Sequence, residues 1–168
     1  MSDFNHHVYL ISYEDSLDGP IKIGYSHHPP TRLKQLQTGN PRRLTIFGNL
    51  GFKDELAARS VEKIILYYFN ANNLSINGEW YNTGVREVLT ILSFFPHNRE
   101  KLFERTEIKD GKIINFTNLI DYAFDKEVLN EDEYDHLRDI FDFPDEDNKD
   151  FEFTDFIEES KKNISQDE

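Results

Sequence analysis

Between residues 8 and 50 the apolar positions fall in short runs, each closed by turn-forming residues. Residues 8–13 (Val8, Tyr9, Leu10, Ile11, Ser12, Tyr13) are rich in β-branched and aromatic side chains and predict a strand. Glu14, Asp15, Ser16, Asp18, Gly19 and Pro20 have turn composition. Residues 21–25 (Ile21, Lys22, Ile23, Gly24, Tyr25) predict a second strand, which makes a hairpin with the first. Each strand carries one polar-tipped residue between apolar ones: Tyr9 in the first, Lys22 in the second. Gly24 weakens a strand and marks a close backbone approach or a bend. Residues 44–50 predict a third strand.

Other segments follow helical spacing. Pro29 and Pro30 suit a first helical turn, where a missing N–H is no loss, with Ser26 or His28 as the cap. Leu33 and Leu36 then share a face, flanked by Arg32, and Gly39 and Pro41 end the helix. Residues 54–69 give the clearest helix. Asp54 is its cap, and Leu56, Ala57, Val61, Ile64, Ile65, Tyr68 and Phe69 form a broad apolar stripe. Residues 70–77 read as a loop, closed by Gly78, Glu79, Trp80 and Tyr81. A further amphipathic helix covers 83–95, and Pro96 is a natural edge. Beyond it the pattern weakens to a short strand (112–116), two acidic helices (117–126 and 130–141) and an acidic linker (143–150). Phe151, Phe153, Phe156 and Ile157 follow as apolar teeth, and the last eight residues are expected to fray.

Charge divides the chain at the same place. The 168 residues carry a formal charge of -13, which argues against a nucleic-acid binder when taken whole. Residues 1–95, however, hold nine Lys+Arg and nine Asp+Glu, whereas 96–168 hold ten and 23. A neutral unit, 1–95, is joined to an acidic, mainly helical region, 96–168. Cysteine is absent, which excludes disulfides and thiolate chemistry. No apolar run approaches the ~18 residues of a membrane span, and the start lacks signal-peptide features. A soluble cytoplasmic protein is expected.

Four patterns recur in a telling order: Lys22-Ile23-Gly24, Arg32 to Pro41, Ala58 to Glu62, and Gly78-Glu79-Trp80-Tyr81. With Tyr9 in the preceding strand, residues 6–95 resemble the GIY-YIG nuclease superfamily. They are closest to its phage and meiotically-upregulated-gene branch. The resemblance implies an α+β fold, a small three-stranded antiparallel sheet flanked by helices. It also implies metal-dependent hydrolysis of nucleic-acid phosphodiesters, DNA more readily than RNA.

The implied site is Tyr9, Lys22, Arg32 and Glu62. Glu62 is a hard oxygen ligand for Mg²⁺ or Mn²⁺, and one carboxylate suffices where phosphate and water fill the remaining positions. Arg32 offers a permanently charged donor fork for phosphate. Tyr9 is the general base or water-positioning residue, and as a base it needs nearby cations to lower its pKa. Lys22 stands where the wider superfamily has a second Tyr, and Leu66 where the branch carries His. Lys34, Asn40, Arg42, Arg43 and Trp80 are weaker candidates for nucleic-acid contact, Trp80 also as packing.

The adjacent pairs His6-His7 and His27-His28 point apart and make poor bidentate metal sites. The acidic region reads as an accessory unit for self-association or partner binding, as an autoinhibitory tail, or as a DNA mimic. A nuclease-derived, non-catalytic binding or inhibitor protein is the competing function.

Overall fold

The structure, a computed structural model, describes residues 3–97, 108–109, 112–113, 116–142 and 151–156. In chain order the elements are β1 (His6–Tyr13), β2 (Ile21–Ser26), α1 (Pro29–Gln37), β3 (Leu44–Phe52), α2 (Glu55–Ala71), β4 (Ser75–Asn77), β5 (Trp80–Tyr81), α3 (Val85–His97), β6 (Ile108–Lys109), β7 (Lys112–Ile113), α4 (Phe116–Asp125), α5 (Glu131–Asp142) and β8 (Phe151–Asp155). The expected acidic linker and frayed end lie outside the described residues.

An antiparallel sheet flanked by helices is present, but it has six strands rather than three, ordered β4-β5-β2-β1-β3-β8. The expected three form its middle. β4 and β5, three and two residues long, lie where the pattern gave a loop and its closing turn, and are too short for alternation to show. β8 comes from the acidic region and pairs with β3, from Gly48 opposite Asp155 to Phe52 opposite Phe151.

Alternation sorts the sheet into two faces. Val8, Leu10, Ile21, Ile23, Leu50 and Phe52 pack with α2 and α3 in the main core. Tyr9, Ile11 and Leu44 face the other way, under Leu33 and Leu36 of α1. His28, not Ser26, caps α1: its Nδ1 accepts the Thr31 backbone N–H at 3.2 Å. Gly39, at φ +79°, takes the left-handed conformation just beyond the helix. Asp54 caps α2 through the Ala57 N–H.

Helices α4 and α5 continue the main core with Ile120, Ala123, Leu137, Ile140 and Phe141. Their polar anchor is Glu133, which accepts from Lys63 Nζ at 2.8 Å and from the Ser60 hydroxyl at 3.3 Å. Glu133 and Asn130 also bond each other's backbone N–H, a reciprocal cap for α5. Among the described residues no helix is long and apolar enough to cross a membrane.

Candidate functional site at the open sheet edge

β5 pairs with β2 only at Ile21 and Lys22. From Ile23 onward the outer edge of β2 has no strand partner among the described residues. Side chains from both faces of the sheet reach this open stretch.

Tyr9 comes from the α1 side. It sits opposite Gly24 in the β1–β2 pairing, and its ring lies across that glycine. A Cβ at position 24 would collide with the Tyr9 ring and hydroxyl. Gly24 is therefore the close approach its position in a strand suggested. Burial, the strongest influence on the Tyr9 phenol, raises its pKa above 10.0. The Arg32 guanidinium opposes this by hydrogen bonding and charge, while Glu79 and Glu62 add to it. Arg32 does lower this pKa, as expected of a neighbouring cation, but desolvation outweighs it and the net shift is upward.

Arg32 is half-buried on α1, with Nη1 donating to Gln35 Oε1 at 3.1 Å. Lys22, only 6 % exposed, donates from Nζ to Glu79 Oε2 at 2.6 Å. Glu62 comes from the α2 side, and its carboxylate accepts the backbone N–H of Tyr25. Burial and then the Glu79 charge push its pKa above 4.5. The Tyr25 N–H, Arg59 and Lys22 pull the other way. Tyr9, Lys22, Arg32 and Glu62 thus share one electrostatic neighbourhood although they lie on four elements. Among the described residues no group of three or more His, Asp or Glu is arranged to hold a metal ion.

The weaker candidates scatter. Trp80 pairs with Lys22 and stacks on Tyr13 at 5.9 Å, so it walls the site. Arg42 lies 3.7 Å over the other partner of that stack, Tyr13, and pairs with Asp15 at 2.8 Å. Arg43 pairs with Glu14 at 3.0 Å. Both arginines are thus tied to the β1–β2 turn. Asn40 holds the Arg42 N–H and shapes the α1–β3 link. Lys34 is exposed in the last turn of α1. Leu66 is half-buried against the main core.

Sequence reasoning missed Glu79 as a site residue. It touches Lys22 and acts on Tyr9, Glu62 and Tyr81. The signal was present, since Glu79 lies inside the quoted Gly78-to-Tyr81 pattern. It also missed Tyr25, whose backbone holds Glu62.

Among known families, the T5orf172 domain matches residues 6–95. This chain belongs to the T5orf172 family. The T5orf172 domain is a phage-associated, GIY-YIG-like domain of nuclease type. Its match runs from β1 into α3 and takes in every residue of the open-edge site. No curated protein and no solved structure matches the chain.

Proposed function

We propose that the protein is a GIY-YIG-type endonuclease of the phage and meiotically-upregulated-gene branch. It hydrolyses phosphodiester bonds, in DNA rather than RNA, with Mg²⁺ or Mn²⁺, inside the cell and in conflict between phage and host. One observation carries the reading: Tyr9, Lys22, Arg32 and Glu62, from four elements, meet at the open edge of β2 within a nuclease-type domain.

The donors present suit a hard divalent cation. Glu62 is a carboxylate whose raised pKa reflects burial and the like charge of Glu79, and a cation offsets both. A divalent ion held by Glu62 would supply positive charge that acidifies a water and offsets negative charge on the phosphate oxygens. The remaining work falls to the chain. Arg32 donates a fork of N–H groups to the non-bridging phosphate oxygens. Tyr9, a neutral phenol, orients the attacking water by hydrogen bonding. Water oxygen bonds to phosphorus as the ester P–O bond breaks, and the proton that the water sheds passes to solvent, which returns one to the leaving oxygen. Lys22, drawn off Glu79 by the phosphate, neutralises the leaving oxygen, which takes up a proton.

The test is plasmid incubation with Mg²⁺ or Mn²⁺, beside Glu62→Gln and Arg32→Ala. Cutting that needs metal and falls by roughly 100-fold or more in both variants is the expected result. No cutting with either metal, or cutting that both variants retain, overturns the proposal.

A further inference from the structure

Beyond Glu62 along β2, three titratable side chains form a hydrogen-bonded row. His6 Nδ1 lies 2.8 Å from Tyr25 Oη, which lies 3.3 Å from His27 Nε2. The adjacent His pairs do not chelate, yet one imidazole of each pair meets across Tyr25, with ring centres 4.8 Å apart.

The backbone sets the direction of this row. His27 Nδ1 faces the Asn5 carbonyl oxygen at 3.0 Å. A carbonyl only accepts, so His27 Nδ1 carries the hydrogen and Nε2 is an acceptor. Tyr25 then donates to His27 and accepts from His6 Nδ1–H. The one nitrogen left with a free lone pair is His6 Nε2. A proton arriving there makes an imidazolium whose Nδ1–H is already bonded. Burial, then Glu55, raises the pKa of the Tyr25 phenol, so the middle of the row keeps its hydrogen.

The surrounding charges decide what such a proton does. From α2, Glu55 and Arg59 face the row and pair with each other at 2.6 Å, with Arg59 4.2 Å over the Tyr25 ring. Their charges cancel. His7, next on β1, feels the charge of His6, and Tyr25 that of Glu62. Counting Glu62, these groups and the row carry one negative charge with His6 neutral and none with His6 protonated, so the proton removes a repulsion for phosphate. Glu55, Arg59 and Glu62 lie on one side of α2, at helical spacing. Arg59 lies about one helical turn from Glu62, and the Tyr25 backbone holds Glu62, so the row adjoins the candidate scissile position.

We infer that His6, Tyr25 and His27, with Arg59, form a proton-gated subsite for a phosphate of the nucleic-acid strand, next to the phosphate at Glu62. This rests on the nuclease reading and gives its substrate path a direction, along β2 from Lys22 towards His27. Binding linked to one proton changes Kd by at most about tenfold per pH unit. Linkage is reciprocal, so bound strand also makes His6 harder to deprotonate.

The experiment measures binding of a short mixed-sequence DNA, duplex and single strand, to the full chain in EDTA, so that nothing is cut. Affinity is followed from about pH 8 to about pH 6, the window in which imidazoles titrate. The wild type is expected to tighten up to about tenfold per pH unit. His6→Gln should lose the slope. Tyr25→Phe keeps the ring under Arg59, breaks the row and should move the slope to lower pH. By NMR, the His6 titration should move to higher pH when DNA is bound. Equal slopes in the wild type and His6→Gln, or a His6 titration that DNA leaves in place, overturn the subsite. Metal-dependent cutting would then still stand on its own test. Absence of DNA binding at every pH overturns both readings.

Discussion

Glu62, on α2, and Glu133, packed against α2, are carboxylates whose surroundings pull them in opposite directions. For each, burial is the largest influence and raises the pKa. At Glu133 the Lys63 hydrogen bond, the Asn130 N–H, the Lys63 charge and the Ser60 hydroxyl outweigh it, and the pKa ends below 4.5. At Glu62 one backbone N–H and two more distant cations face burial plus the like charge of Glu79, and the pKa ends above 4.5. The Lys–Glu pairs show the same inversion. In Lys63–Glu133 the carboxylate is buried, 9 % exposed, and the amine is 47 % exposed; in Lys22–Glu79 the amine is buried, 7 %, and the carboxylate 45 % exposed. A carboxylate that holds helices together has its lone pairs filled by the protein. At Glu62 burial and a like charge outweigh the donors that the protein supplies, a pattern frequent at functional sites.

Substitutions can break that contrast. Glu62→Gln is expected to lower cutting by roughly 100- to 1,000-fold, as loss of a group facing developing charge does. The same variant should melt at a higher temperature than the wild type at neutral pH, because it removes an ill-satisfied charge. A fall in melting temperature would show that Glu62 is structural.

Glu133→Ala should do the reverse. It strips Lys63, Ser60 and the α5 cap of their acceptor and should destabilise the fold by about 2–3 kcal/mol, discounted because Lys63 is half exposed. That is a drop of about 4–12 °C at this size. Cutting per folded molecule should persist.

Gly24→Ala probes the close approach of Tyr9. The added methyl must displace a buried ring, which typically costs about 1–3 kcal/mol. Cutting should fall while the metal dependence of what remains stays unchanged. Wild-type activity and stability in this variant would refute the placement of Tyr9 over β2.

The pH dependence of urea unfolding sharpens the comparison further. Glu133 has a lowered folded pKa, so its contribution is present above the unfolded value near 4.5 and is lost as pH falls through the folded value. Glu62 has a raised one, so its contribution is present below 4.5 and is lost as pH rises through the folded value. The stability difference between wild type and Glu133→Gln should therefore grow with rising pH in the acid range. The difference for Glu62→Gln should shrink and change sign. The smallest effect is expected from Lys34→Ala, which should weaken DNA binding evenly across sequences and lower the salt slope by about one.

The elements that carry the site were legible because they are long and keep one period. β1, β2, β3, α2 and α3 fall within a few residues of their apolar stripes, and α1 is announced by Pro29, Pro30 and Gly39. β4 and β5 are shorter than any alternation that pattern can register. β8 packs Phe153, one of the apolar teeth, against the main core, but its pairing with β3 leaves no alternation that so short an acidic stretch could register. Of the site, Tyr9, Lys22, Arg32 and Glu62 followed from motif order. The Glu79–Lys22 bond depends on where β5 stops along β2, and the meeting of His6 with His27 depends on how β1 and β2 end. Neither is a property of any local stretch. The tethering of Arg42 and Arg43 to Asp15 and Glu14 was hidden for the same reason.

The pairing of β8 with β3 also has a bearing on synthesis. The strands and helices up to α3 are complete at the ribosome while the strand that covers the outer side of β3 is still unmade. At ~5–20 residues/s the chain from residue 95 to residue 151 takes roughly 3–11 s to emerge. Throughout that interval Gly48 to Phe52 present a bare row of backbone donors and acceptors. A nascent chain, or one shortened after Phe95, would satisfy that row with a second copy of itself, so crowded synthesis favours paired or aggregated chains until residues 151–155 arrive.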